Sequence, residues 1–226
     1  MTSVAAIVPA AGRSRRMGGR DKLLASLGGR PLLSWCVETL EACDLISRVV
    51  VAVAPDSMAR YTRLSGQRGW RKSVLCEGGP RRQDSVSSAL SLCGDVELVL
   101  VHDGDRPFLT VAMIEAGVAA AATTGAAVAA VPVIDTVKVV RKDSFVDRTL
   151  DRSVLRAAQT PQVFRREWLE QAHASVEFDV TDDATLVERL GYPVKLYAGA
   201  GDNLKVTTPG DLRLARAIAR LSERNS

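Results

Sequence analysis

The stretch Val4-Ala5-Ala6-Ile7-Val8-Pro9-Ala10-Ala11-Gly12-Arg13-Ser14-Arg15-Arg16-Met17, followed by Lys22, organises the chain. An apolar run of strand length stops at Pro9. A turn of small residues and a burst of positive charge follow. Small residues let backbone approach a ligand closely, and successive free N–H groups in such a turn bind anions. Arg13, Arg15, Arg16 and Lys22 place fixed positive charge beside that turn. The stretch reads either as a strand feeding a phosphate-cradling loop or as a strand with a solvated basic face.

Working outward, helix-period and strand-like segments alternate. Pro31 starts a helix with Leu32, Leu33, Cys36, Val37 and Leu40 at helical spacing. Arg48 to Ala54 is a nearly continuous β-branched run, as expected of a strand buried on both faces. Ser73 to Cys76 is a short strand. Gly78-Gly79 breaks the chain before a helix near Gln83 that carries Val86, Ala89, Leu90 and Cys93. Glu97 to His102 is another buried strand. A helix from about Thr110 to Thr124 and a strand from Ala126 to Ile134 join at Gly125. This alternation predicts an α/β fold with a mostly parallel sheet and helices on both faces. Ligands in such sheets bind beyond the carboxyl ends of strands, where the opening loop, Gly78-Gly79 and Asp103 would meet.

From Asp135 to Leu155 the texture changes. Two alternating segments flank Lys142-Asp143-Ser144 and read as a projecting hairpin. Gln159-Thr160-Pro161-Gln162 reads as a returning connection. Helices follow around Arg166 to Ala174 and from Thr181-Asp182-Asp183 to Gly191, then a strand from Pro193 to Ala198. The last helix opens at Thr208-Pro209-Gly210-Asp211. We read residues 1–226 as one domain, with an arm at about 135–155.

Composition narrows the function classes. Net charge is +4, and aromatic residues make up only 4% of the 226 residues. A nucleic-acid binder would more often carry a long basic run with stacking aromatics, and acidic small-molecule substrates explain the excess equally well, so we expect neither nucleic-acid nor membrane partners. Cys36, Cys43, Cys76 and Cys93 have no zinc-like spacing and read as reduced structural thiols of a cytoplasmic protein. No segment reads as a signal peptide or a membrane span. G-x-x-x-x-G-K-[ST], G-x-G-x-x-G and G-x-S-x-G are all absent. Phosphate chemistry without a Walker loop remains.

Asp103 follows a buried strand and faces the basic loop. It is the first candidate for a divalent cation held between protein and phosphates, with Asp202 second. Asp105 reads as a salt-bridge or turn residue, and His102 as a hydrogen-bonded strand-end histidine rather than a base. Lys205 is either a phosphate contact or a snorkelling surface lysine.

These residues carry a resemblance. The chain resembles the 2-C-methyl-D-erythritol 4-phosphate cytidylyltransferase family through Pro9-Ala10-Ala11-Gly12 with Arg16-Met17 and Lys22, and through Gly78-Gly79 with Arg82 and Asp84-Ser85-Val86. The match continues in His102-Asp103 with Arg106-Pro107, Asp135-Thr136 with Lys138, and Thr160-Pro161-Gln162 with Phe164. It ends in Thr181-Asp182 and Asn203 with Lys205 and Thr207. The resemblance implies a Rossmann-like nucleotidyltransferase domain that moves a cytidylyl group from CTP to a polyol phosphate, with Mg2+. It implies that Arg16 and Lys22 stabilise triphosphate charge, and that Pro9, Ala10, Ala11, Gly12, Gly79 and Ser85 form the nucleotide side. Arg106, Thr136, Arg152, Thr160 and Lys205 would line the polyol-phosphate site, with Arg152 and Lys205 positioning the attacking phosphate. It also implies a homodimer whose arm acts in trans. A ribitol 5-phosphate cytidylyltransferase shares much of this pattern, and a non-catalytic nucleotide-binding module is the alternative of another class. Asp21, before Lys22, and Gly104-Asp105, after Asp103, depart from the family's usual residues.

Overall fold

The computed structural model describes residues 2–12, 21–175 and 178–224, with side chains to 221. In chain order the elements are β1 (Val4–Ala10), β2 (Ser26–Leu27), β3 (Arg30–Pro31), α1 (Leu32–Ala42), β4 (Ile46–Val53), α2 (Met58–Arg68), β5 (Ser73–Glu77), α3 (Arg82–Leu90), β6 (Leu98–Val101) and α4 (Val111–Thr124). They continue with β7 (Ala126–Pro132), β8 (Lys138–Val140), β9 (Val146–Thr149), β10 (Arg156–Arg165), α5 (Arg166–Ala174), α6 (Asp183–Arg189), β11 (Lys195–Ala198) and α7 (Pro209–Arg224).

One seven-stranded sheet runs in the order β11-β7-β10-β6-β1-β4-β5. β1 pairs in parallel with β4 and β6 on its two sides, β4 with β5, and β7 with β11. Only β10 runs the other way, between β6 and β7. Along a strand successive side chains point to opposite faces. Val4, Ala6 and Val8 therefore enter one core with α1, α4 and α7, while Ala5 and Ile7 enter the other with α3, α5 and α6. Both cores exclude water from β1, which is why its sequence is apolar without alternation.

Two expectations change, and one helix is added. Residues 156–165 are a ten-residue strand, not a connection. Pro161 argues against a central strand, but the register with β7 shifts between Ala158 and Gln162, so the proline sits where the ladder is already broken. The helix α2 is not announced by its sequence, because only Tyr61 and Leu64 of its eleven residues are buried. Cys93 lies in the turn after α3, not on the helix, with its N–H donating to the Leu90 carbonyl. All four thiols are free.

The hairpin β8–β9 forms its own two-stranded sheet. It leaves Val140, Phe145 and Val146 more than half exposed. Among the described residues no helix is long and apolar enough to cross a membrane.

Candidate active site

The ends of four parallel strands open onto one cavity of about 900 Å³. β1 supplies Pro9, Ala10, Ala11 and Gly12, and β4 leads into Ala54, Pro55 and Asp56. β5 leads into Gly78 to Arg82, and β6 into Asp103 and Asp105. Lys22, Leu23, Ser85, Lys205 and Thr207 complete the walls. Parallel strands deliver their following loops to one edge, so four segments distant in sequence converge there.

The turn before α3 is built for close approach. A Cβ on Gly79 would lie 2.3 Å from the Asp84 Cβ. Asp84, in the first turn of α3, accepts the Arg81 N–H at 3.1 Å. Ser85 donates to the Arg81 carbonyl at 3.2 Å. The N-terminus of α3 thus faces the cavity with Gly78, Gly79, Arg81 and Arg82 around it, where its dipole favours an anion.

Asp103 sits at the centre and is 7% exposed. Arg82 Nε donates to its Oδ1 at 2.8 Å and Lys205 Nζ to its Oδ2 at 2.8 Å. Burial alone would raise its carboxyl pKa. The charges of Arg82 and Lys205 overcome that and hold it well below the usual carboxylate range. Arg82 is anchored from behind, because its Nη1 donates at 2.6 Å to Asp183, whose other oxygen meets His173 Nε2 at 3.0 Å. Among the described residues Arg82 Nη2 is buried with no hydrogen-bond partner.

Behind Asp103 a relay sets its backbone. Asp103 N–H donates to Thr160 Oγ1 at 3.0 Å. Thr160 Oγ1 lies 3.2 Å from His102 Nδ1, and His102 Nε2 lies 2.9 Å from the Arg106 carbonyl. A carbonyl only accepts, so Nε2 carries the proton and Nδ1 accepts the threonine hydroxyl. Burial lowers the His102 pKa to about 4. A neutral imidazole with both nitrogens engaged is a structural group, as its sequence context suggests.

The cavity brings together Pro9, Ala10, Ala11, Gly12, Lys22, Gly79, Ser85, Asp103 and Lys205. Thr160 stands behind it through the Asp103 N–H. Arg106 does not line it. Its Nη1 donates to the Asn203 carbonyl at 2.7 Å, and its Nε is buried without a partner among the described residues. Thr136 is exposed. Arg152 donates to the Ile134 carbonyl and lines a separate recess with Asp151 and Arg156. Asp202 is an exposed turn residue that does not line the cavity, whose acids are Asp56, Asp103 and Asp105. A glycine-rich turn has no periodicity from which its facing could be read, and this one aims the Asp202 side chain at solvent. Arg16 lies outside the described residues, as do Arg13, Ser14 and Arg15.

Sequence reasoning passes over Arg82 as a site group, although it stands in the Gly78-Gly79 turn. Asp105 fits its reading as a salt-bridge residue, and it pairs with Lys22 at 2.6 Å. Asp21 caps the short 3-10 turn that carries Lys22. It accepts the Leu23 N–H at 3.1 Å and the Tyr61 hydroxyl at 2.7 Å.

Residues 4–221 match the family model described as 2-C-methyl-D-erythritol 4-phosphate cytidylyltransferase. The chain belongs to this family. It is 42% identical over 218 residues to the enzyme of that name from Dehalococcoides mccartyi, covering 96% of each chain. Its identity to the one from Pelotomaculum thermopropionicum is 46% over 228 residues, covering 97% of this chain and 95% of that one. The crystal structure of 2-C-methyl-D-erythritol 4-phosphate cytidylyltransferase from Thermus thermophilus superposes with a TM-score of 0.79 at 35% identity, over 96% of this chain and 99% of that one. Membership makes the chain a cytidylyltransferase with a Rossmann-like fold.

Among the described residues no cluster of three or more His, Cys, Asp or Glu could hold a metal by itself. The donor set still fits magnesium, which binds through one or two carboxylates and takes its other ligands from phosphates and water. Asp103 offers an oxygen for this. Its Lys205 partner is 38% exposed at the side chain and replaceable, whereas Arg82 is fixed by a second carboxylate.

Proposed function

We propose that the protein transfers the cytidylyl group of CTP to 2-C-methyl-D-erythritol 4-phosphate and releases pyrophosphate, a step of the non-mevalonate isoprenoid pathway. The observation that carries this reading is the single cavity in which Lys22, Lys205, Arg82 and the N-terminus of α3 surround Asp103 at the sheet edge. A phosphate oxygen of the polyol phosphate attacks the α-phosphorus of CTP. The bond from that phosphorus to the bridging oxygen of the β-phosphate breaks, and pyrophosphate leaves with the electron pair. The nucleophile is already anionic, so no base is needed, in keeping with a His102 whose nitrogens are both engaged.

The difficulty is bringing two polyanions together, and positioning plus fixed positive charge meets it. Pro9 to Gly12, Gly79 and Ser85 hold the nucleotide side. Lys22 and Arg16 bear on the triphosphate, and Lys205 leaves Asp103 to hold the attacking phosphate. Magnesium, held by Asp103, would neutralise charge on the phosphates. Four free thiols suit a reducing compartment, and the protein works in the cytoplasm.

The protein acts as a homodimer. Ile134, Phe145 and Val154 on and beside the arm are 82%, 66% and 78% exposed, apolar area that a second copy would cover. The arm then carries Thr136 and Arg152 to the partner's cavity, while Arg106, in the turn after β6, contacts the polyol phosphate from its own subunit. Mixing Arg152→Ala with Lys205→Ala subunits regenerates one intact site per hybrid, so activity returns. No recovery despite proven exchange refutes the arrangement.

The decisive assay is pyrophosphate release from CTP and magnesium with either polyol phosphate. Faster release with 2-C-methyl-D-erythritol 4-phosphate supports the reading. Faster release with ribitol 5-phosphate, or none with either, overturns it.

A further inference from the structure

The two lysines of the cavity are each capped by an aspartate from one turn. Asp103 Oδ2 accepts from Lys205, and Asp105 Oδ2 lies 2.6 Å from Lys22 Nζ, which also donates to the Val206 carbonyl at 2.9 Å. Gly104 between them makes the double capping possible. A Cβ there would come within 2.9 Å of Leu33 Cδ1 and 3.2 Å of Val8 Cγ1, so the turn lies tight against the end of β1. The Lys22 and Asp105 side chains are 14% and 12% exposed, so solvent screens their pair little. The other oxygen, Asp105 Oδ1, is buried with no hydrogen-bond partner among the described residues. Asp105 is therefore a desolvated carboxylate in the wall of a cavity that must receive a polyanion.

We propose that Asp105 is a built-in counter-ion for Lys22. It holds the ammonium in place in the empty cavity and opposes entry of a bare triphosphate. Tight nucleotide binding then requires a divalent cation. This rests on the cytidylyl-transfer reading. A triphosphate oxygen that reaches Lys22 shares the ammonium with Asp105, and two anions on one cation repel. A cation that travels with the triphosphate lowers its charge and relieves that repulsion. Asp105 thereby makes the site discriminate metal-bound nucleotide from free nucleotide, a selectivity by repulsion as well as attraction.

The test is calorimetric binding of CTP to the full-length protein in EDTA and in magnesium. Asp105→Asn keeps the shape and removes the charge, and Asp105→Ser is a second variant should the first fold poorly. The wild type should bind CTP far more weakly in EDTA than in magnesium. Removing the carboxylate should tighten binding in EDTA about tenfold, roughly 1.4 kcal/mol, and change binding in magnesium much less. A merely structural residue would weaken binding when replaced. Unchanged or weaker affinity in EDTA, in a variant with the wild-type melting curve, overturns the proposal and leaves the proposed function intact. A wild type that binds CTP in neither buffer overturns the proposed function itself.

Discussion

Mild acid should weaken this protein through His102. The imidazole is fully buried, its Nε2–H given to the Arg106 carbonyl and its Nδ1 accepting from Thr160. A second proton would turn Nδ1 into a donor against a hydroxyl that already receives the Asp103 N–H. Burial therefore lowers the folded pKa from the ordinary 6.5 to about 4. The unfolded chain takes up the proton as pH falls through 6.5, and the folded chain only near 4. Stability is present in full above 6.5 and is lost as pH falls towards 4. At 1.36 kcal/mol per pH unit the total loss is about 3 kcal/mol, of which about 2 has gone by pH 5. The assay is the urea midpoint of the wild type and of His102→Gln between pH 7.5 and 4.5. Glutamine keeps a donor near the Nε2 position but does not titrate. The variant should be less stable at pH 7.5, and the gap should narrow by about 2 kcal/mol at pH 5. Carboxylates elsewhere titrate in both proteins and cancel in the difference. A gap that stays constant over this range refutes a buried neutral His102.

Two further outcomes follow from the site. Gly79→Ala puts a Cβ 2.3 Å from that of Asp84, which is fixed in the first turn of α3. The turn must shift, so stability should fall by about 1–3 kcal/mol and CTP should bind more weakly. Thermal melts and a CTP titration check this, and unchanged affinity would remove the turn from the nucleotide site. Asp183→Asn removes a fully buried charge that Arg82 and His173 face. Burial raises the Asp183 carboxyl pKa, but the charge of Arg82 outweighs it and leaves the pKa below the ordinary value. The stabilisation is thus present at neutral pH and lost on acidification. The variant should lose about 3 kcal/mol at pH 7, shrinking towards acid in urea titrations. A deficit independent of pH would show that the charge is not the cause.

The core strands were legible because parallel strands buried on both faces must be apolar throughout, as β1, β6 and β4 from Val49 onward are. The helix starts were legible where a side chain reports its own cap. Asp182 accepts the Thr185 N–H, and Asp211 accepts the N–H groups of Thr207 and Thr208. β10 was hidden by Pro161, and α2 by a surface composition with two buried side chains. In the site, Asp103 and the Gly78-Gly79 turn could be found because each directly follows a strand. Asp202 could not be separated from Asp103 in this way, since position after a strand does not tell which way a turn faces.

The chain's own residues disclosed most of the element order, the mostly parallel sheet and the family, because these rest on local periodicity and on motifs whose spacing survives without coordinates, and they left β10 and α2 undisclosed. Tertiary structure alone decided which charges meet. Lys22 and Asp105 are 83 residues apart, and Asp103 and Lys205 are 102 apart. Ion pairs form at contact distance, and the turn through Gly104, packed against Val8 and Leu33, places those carboxylates beside the lysines.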